Sequence, residues 1–161
     1  MAASPISFGR ARPNLRYIAI DLPESLLFAA AYLAGALPDE DTQIVTSPDD
    51  AIEARLILCP SDLAPALFEA LPRIDAAINF ASFGEMGEAA VEYYARMLSD
   101  RLAGVLYEAN QSAAPFINCD VAAVLGRHLE RPEYPTLLFR KVDGEHRLWR
   151  RPASATTAVP Q

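Results

Sequence analysis

The feature that most constrains this chain is a series of short apolar runs, each closed by a polar or turn residue and separated by helix-length segments. The first is Arg16-Tyr17-Ile18-Ala19-Ile20, closed by Asp21. Arg55-Leu56-Ile57-Leu58-Cys59 stops at Pro60, Ile74-Asp75-Ala76-Ala77-Ile78-Asn79-Phe80 follows, and Gly104-Val105-Leu106-Tyr107-Glu108 comes last. Thr42 to Thr46 is a further short candidate. Runs this short, with apolar residues on consecutive positions, mark parallel strands covered on both faces.

Helices are predicted between them, over Pro23 to Leu37, from Ser61 to Leu71, over Gly87 to Leu102 and over Asp120 to His128. Pro23 suits a first helical turn, where its missing N–H costs nothing. Glu24 sits where the helix dipole favours a negative charge. The stretch Leu26 to Leu37 reads as a buried helix, and Ala90, Val91, Tyr94, Met97 and Leu98 recur at helical spacing in the third helix. Strands alternating with helices predict an α/β fold with a mostly parallel sheet. Leu137 to Val142 and Arg147 to Trp149 flank Asp143-Gly144, a two-residue turn signal. A C-terminal antiparallel hairpin at one edge is therefore expected.

A length of 161 residues fits one domain. Pro5, Gly9, Pro13 and Asn14 punctuate the start, so residues 1–15 are expected to be a disordered leader, 16–151 the folded part and 152–161 a flexible tail. Lys and Arg number 14 against 21 Asp and Glu, a net charge of -7. That balance argues against a nucleic-acid partner, which calls for a basic face. The cluster Arg140, Lys141, Arg147, Arg150 and Arg151 is interleaved with acids and reads as a solvated late strand pair. No apolar run approaches the ~18 residues of a membrane span. Cys59 and Cys119 are isolated, and His128 and His146 are the only imidazoles, so a disulfide framework and a zinc site both lack support. The expected compartment is a reducing cytoplasm.

In parallel sheets, ligands sit outside the carboxyl ends of the strands. Asp21 closes the first strand, where an acid can accept hydrogen bonds from both hydroxyls of a ribose; it can equally cap the helix that follows. Asp62 follows the third strand and can read an adenine edge or cap a helix. Phe80-Ala81-Ser82-Phe83-Gly84-Glu85-Met86 sets two aromatics, a hydroxyl and a carboxylate just past a strand. Glu85 can take a proton or a hydrogen bond from a substrate hydroxyl and Ser82 can position it. Ser82 and Glu85 also have the S-x-x-E spacing of a capping box. Asn79, Asn110 and Gln111 end strands and can hydrogen-bond a polar substrate. Tyr93, Tyr94, Tyr107 and His128 read as structural. No P-loop, HExxH or Ser-His-Asp ordering is present.

Ile18-Ala-Ile-Asp-Leu-Pro-Glu-Ser-Leu26 with Tyr32-Leu33, then Ile78-Asn-Phe-Ala-Ser-Phe-Gly-Glu-Met86, then Tyr93-Tyr94, then Leu106-Tyr-Glu-Ala-Asn-Gln111, in that order, resemble the sugar O-methyltransferase family. That family is similar to class I S-adenosylmethionine-dependent methyltransferases. The resemblance covers about residues 16–111. It implies a Rossmann-like sheet and S-adenosylmethionine as cofactor, with a sugar or glycan precursor as substrate. Asp21 and Asp62 would hold the cofactor's ribose and adenine. Asn79, Ser82 and Glu85 would border the transferred methyl, with Glu85 as proton acceptor, and Asn110 would face the sugar. A carboxylate with an ordinary pKa of about 4.3 is a weak base, so Glu85 would need burial or a metal to act in that way.

The chain departs from the family at the front. The family's glycine-rich first strand and turn should precede Ile18, and residues 1–15 contain only Gly9. The resemblance therefore implies a partial methyltransferase domain lacking its first strand and helix, either as a C-terminal portion of the enzyme or as a truncated gene product. A second chain supplying that strand, or a homo-oligomer, is an expected partner. Two further classes compete: a non-catalytic methyltransferase-like interaction domain, and another α/β enzyme acting on nucleotide sugars.

Overall fold

The apolar run after Arg55 becomes the centre of a parallel sheet. The computed structural model describes residues 14–110, 118–132 and 145–153. They fall into two units, Met1–Leu71 and Pro72–Gln161. In the first unit the elements are β1 (Tyr17–Asp21), α1 (Pro23–Ala36), β2 (Thr42–Ile44), β3 (Leu56–Pro60) and α2 (Ala64–Ala70). The strand order is β1-β3-β2, all parallel, with Tyr17 beside Leu56 and Asp21 beside Pro60.

Successive residues of β3 point to opposite faces, and both faces are covered. Leu56 and Leu58 pack with Leu26, Leu33 and Leu37 on the α1 side. Ile57 and Cys59 pack with Val45, Ala54 and Leu67 on the α2 side. This explains why β3 is apolar at every position: each side chain leaves water, which is the driving force of the fold.

The expectation of a fully buried first helix is corrected. Leu26 and Leu33 are buried, but Leu27, Phe28 and Tyr32 are 69%, 77% and 63% exposed. A helix lying on one sheet can bury only one stripe, whatever residues occupy the rest of its circumference. Pro23 does stand in the first turn with Glu24 beside it, as the sequence suggested.

The second unit contains β4 (Ile74–Phe80), α3 (Ser82–Glu85), α4 (Glu88–Arg101), β5 (Leu102–Asn110), α5 (Val121–Leu125) and β6 (Glu145–Trp149). The order is β4-β5-β6. β4 and β5 are parallel with a register irregularity between Ile74 and Ala76, and β6 runs antiparallel to β5. The second arm of the expected hairpin is thus β6. Its first arm, its Asp143-Gly144 turn, Gln111, the leader before residue 14 and the tail beyond residue 153 lie outside the described residues. On α4 the buried stripe is Val91, Ala95 and Leu98, so Ala95 takes the place assigned to Ala90, which is exposed.

The α/β class therefore holds, while one continuous sheet is replaced by two of three strands each. β1 ends one and β4 ends the other. No described strand hydrogen-bonds the outer side of either.

The segment around α5 is fastened to α4 by charge. Glu92 on α4 pairs with the His128 imidazole and lies 3.3 Å from Arg127, which also reaches Glu88 at 2.8 Å. The His128 hydrogen bond, more than the nearby positive charges, holds the Glu92 carboxyl below its ordinary range. A carboxylate depressed in the folded state stabilises it above the unfolded value of about 4.3, and that contribution is lost as pH falls through the lower folded value. Wild type should accordingly exceed Glu92→Gln in stability at pH 6. The gap should close in urea titrations carried below pH 4; a gap unchanged across that range would refute this role.

Candidate functional site

Asp21 and Asp62 belong to the first unit; Asn79, Ser82, Glu85 and Asn110 belong to the second. At the carboxyl end of the first sheet, the main chain itself joins β1 to β3. The Ser61 N–H donates to the Asp21 carbonyl at 2.9 Å. The exposed Asp21 carboxylate accepts from the Leu22 N–H through Oδ1 at 2.7 Å. No described hydrogen bond uses its other oxygen. Leu22, not Asp21, is the N-cap of α1, and it makes no side-chain cap. Asp62 is exposed and is likewise no cap, because α2 begins after Leu63 without a side-chain hydrogen bond. Asp21 thus ends β1, Asp62 lies two residues past the end of its parallel neighbour β3, and both residues are exposed.

Cys59 lies just inside this end. Burial, and secondarily the charge of Asp62, pushes its thiol up to about 11, so it stays protonated and behaves as a core side chain. Cys59 and Cys119 are both free. Among the described residues no group of three or more His, Cys, Asp or Glu could hold a metal. A shallow depression of about 210 Å³, open space included, is lined by Val45, Ile52, Leu63 and Leu67 among others. Its lining includes neither Asp21 nor Asp62, and almost none of that space is enclosed.

In the second unit the turn from β4 into α3 passes through Ala81, whose φ of 59° is left-handed, a region alanine rarely adopts. The capping box suggested by Ser82 and Glu85 does not form, since Ala81 is the N-cap and gives no side-chain bond. Two asparagines at strand ends do that work instead. Asn79 Oδ1 accepts from the Phe83 N–H at 3.1 Å, and Asn110 Oδ1 accepts from the Gly84 N–H at 3.0 Å. They satisfy two of the donors that every helix start leaves without intrahelical partners, and they hold the left-handed turn in place.

Asn110 is 2% exposed. Its amide also donates to Asn79 Oδ1 at 3.0 Å and to Glu108 Oε1 at 2.8 Å. Asn110, expected to face a sugar, is thus engaged within its own chain, as is Asn79. Glu85 is exposed, and its carbonyl accepts from the Asn118 side chain at 2.5 Å. Ser82 is half-buried.

The sequence reading missed the group beneath these asparagines. Glu108 is fully buried, and its carboxylate lies 3.2 Å from Arg147 and 3.3 Å from the Trp149 indole N–H. Arg147 retains only 10% of its side-chain exposure, which corrects its assignment to a solvated pair. The signal was present: Leu106, Glu108 and Asn110 share one strand face, and Leu106 marks that face as buried. On the opposite face, Tyr107 pairs with His146 Nδ1 and meets Phe80 edge to face at 5.4 Å. Burial, then the charge of Glu108, pushes the Tyr107 phenol up, so it remains an O–H donor.

No helix among the described residues is long and apolar enough to cross a membrane. Comparison with family models, curated proteins and solved structures finds no match to this chain.

Proposed function

We propose that this chain supplies the nucleoside-binding part of an S-adenosylmethionine-dependent enzyme that methylates a sugar hydroxyl. The observation that carries the reading is the pair of exposed acids, Asp21 and Asp62, at and just past the carboxyl ends of adjacent parallel strands. Asp21 accepts hydrogen bonds from the two ribose hydroxyls, and Asp62 lies beside the adenine.

The residues present suit the nucleoside end of the cofactor better than its methionine end. The described glycines, Gly35, Gly84, Gly87, Gly104 and Gly126, make no glycine-rich turn after a strand. When bound, the cofactor supplies an electrophilic methyl on a sulfonium. In this reading, a segment outside the described residues, carrying a glycine-rich turn, holds the methionine part. Glu85 accepts a hydrogen bond from the sugar hydroxyl and orients it, a role that suits an exposed carboxylate. Ser82 assists. Asn79 and Asn110 act by fixing the turn that carries Glu85. A cytoplasmic setting belongs to the same reading and rests on the two free thiols.

A hydrogen bond to a charged acceptor contributes about 1.5–3 kcal/mol. Calorimetric titration with S-adenosylhomocysteine should therefore show binding that Asp21→Ala weakens about tenfold or more and Glu85→Ala leaves intact. No heat at millimolar ligand would overturn the proposal.

The alternative is a non-catalytic methyltransferase-like interaction domain. It is favoured by the exposed Leu27, Phe28 and Tyr32 of α1. Nucleoside binding unaffected by Asp21→Ala would turn the balance toward it.

A further inference from the structure

Among the described residues, Ala81 is the one non-glycine residue with a left-handed backbone, at φ 59°. It stands at the carboxyl end of β4, where the chain enters α3. A Cβ disfavours that conformation by about five- to thirtyfold. Residues held in this way persist only where their surroundings over-determine them, and they gather at ligand clamps and switches.

One hold acts on the amide side of α3. Asn79 and Asn110 accept from the Phe83 and Gly84 N–H groups. A neutral hydrogen bond favours the bonded state by about two- to tenfold net. Two such bonds are of the same order as the strain, so alone they leave the turn near balance.

A second hold acts on the carbonyl side. The last carbonyls of a helix lack intrahelical partners, and here a distant part of the chain meets them. The Asn118 N–H donates to the Gly84 carbonyl at 3.0 Å. Its side-chain amide donates to the Glu85 carbonyl, 33 positions away in sequence, at 2.5 Å. The Cys119 thiol reaches the Phe83 carbonyl at 3.8 Å. Three successive carbonyls of α3 are thus met by two neighbouring residues. Asn118 is itself anchored. It lies two residues before Asp120, the cap of α5, whose carboxylate accepts from the Ala123 N–H at 3.0 Å. The residues after α5 are tied to α4 through the His128 and Glu92 pair.

We propose that Asn118 is the latch of a two-state turn. Its hold on α3 keeps Ala81 left-handed and Glu85 presented; its release lets the turn relax and withdraws Glu85. The magnitudes favour this assignment, because one further bond tips an element whose strain and amide-side bonds nearly cancel. The bearing of the latch on a sugar hydroxyl rests on the acceptor reading of Glu85 given above, whereas the latch itself does not.

Amide hydrogen exchange of the full chain, followed residue by residue by NMR, tests the proposal. Asn118→Ala, at an exposed position, should speed exchange at the buried Phe83 and Gly84 by about two- to tenfold and leave the β5 amides unchanged. Asn118→Asp keeps the size but at pH 7 carries only acceptors, so it should act like Asn118→Ala. Ala81→Gly added to Asn118→Ala should slow exchange again, since glycine takes the left-handed form without a steric penalty. Unchanged exchange at Phe83 and Gly84 in both Asn118 variants overturns the proposal. Equal acceleration across α4, β4 and β5 overturns it too, because Asn118 would then be an ordinary stability contact. So does a failure of Ala81→Gly to reverse the effect. These measurements contain no cofactor, so their failure leaves the nucleoside-binding reading untouched, and a failed titration with S-adenosylhomocysteine leaves the latch untouched.

Discussion

Glu108→Ala is expected to destabilise the second unit by about 3–5 kcal/mol, the cost of breaking a buried charge pair by removing one partner. Glu108 is fully buried, and three donors converge on it: Arg147, the Trp149 indole and the Asn110 amide. Truncation takes from the Arg147 guanidinium the carboxylate it lies against, with only 10% of its side chain exposed. The indole N–H and the Asn110 amide lose their acceptor at the same stroke. Each buried donor that loses this acceptor costs about 1–3 kcal/mol before relaxation, while Asn110 keeps its bond to Asn79.

The contrast with a double replacement makes the mechanism testable. Glu108→Leu combined with Arg147→Met removes charge from both sides, and such exchanges are often neutral or stabilising. The double variant should therefore be more stable than Glu108→Leu alone. Urea unfolding followed by Trp149 fluorescence would report both. Tryptophan occurs once in the sequence, so the signal comes from the site itself. A Glu108→Ala chain within 1 kcal/mol of wild type would mean that water reaches the carboxylate and that it is not a buried anchor.

The same substitution bears on the candidate site. Asn110 holds the Gly84 N–H, and Glu108 holds Asn110. The left-handed turn at Ala81 thus rests on a chain of bonds that ends in the core. Glu85, the exposed carboxylate assigned to the sugar, is carried by the short helix that this turn begins.

Local pattern made the strands legible. β4 was expected over residues 74–80 and is found there, because Ile74, Ile78 and Phe80 with flanking turns suffice to mark it. Pro23 and the closing Leu37 likewise bounded α1. Burial of α1 was not legible, because an apolar circumference does not say how many sides a neighbour covers.

The asparagines show a subtler limit. Asn79 and Asn110 were singled out because strand ends border ligands in parallel sheets. The same position also borders the first turn of the next helix, whose N–H groups need acceptors. Sequence cannot separate those uses. The buried face of Glu108 was legible in the alternation, but its partners were not, because Arg147 and Trp149 stand 39 and 41 positions away.

Gly104→Ala should cost about 1–3 kcal/mol or more, because the atom it would strike is backbone. A Cβ at Gly104 would stand 2.0 Å from the Asp75 carbonyl oxygen and 3.2 Å from its carbon. The contact falls at the irregularity where β4 and β5 change register between Ile74 and Ala76. A side chain could swing aside, but a strand carbonyl moves only with its strand. Replacing glycine also stiffens the unfolded chain, which favours folding by about 0.4–1 kcal/mol. The clash exceeds that gain, so the sign is destabilising. Gly35 on α1 supplies the control: nothing lies within 4 Å of a Cβ built there. Gly35 stands in the last turn of α1, where the same glycine-to-alanine change should stabilise by at most about 0.5–1 kcal/mol, the mid-helix figure. Urea midpoints for the two variants should therefore move in opposite directions. If Gly104→Ala left the midpoint where it was, the close approach of β5 to Asp75 would be wrong, and with it the register that sets Asn79 beside Glu108.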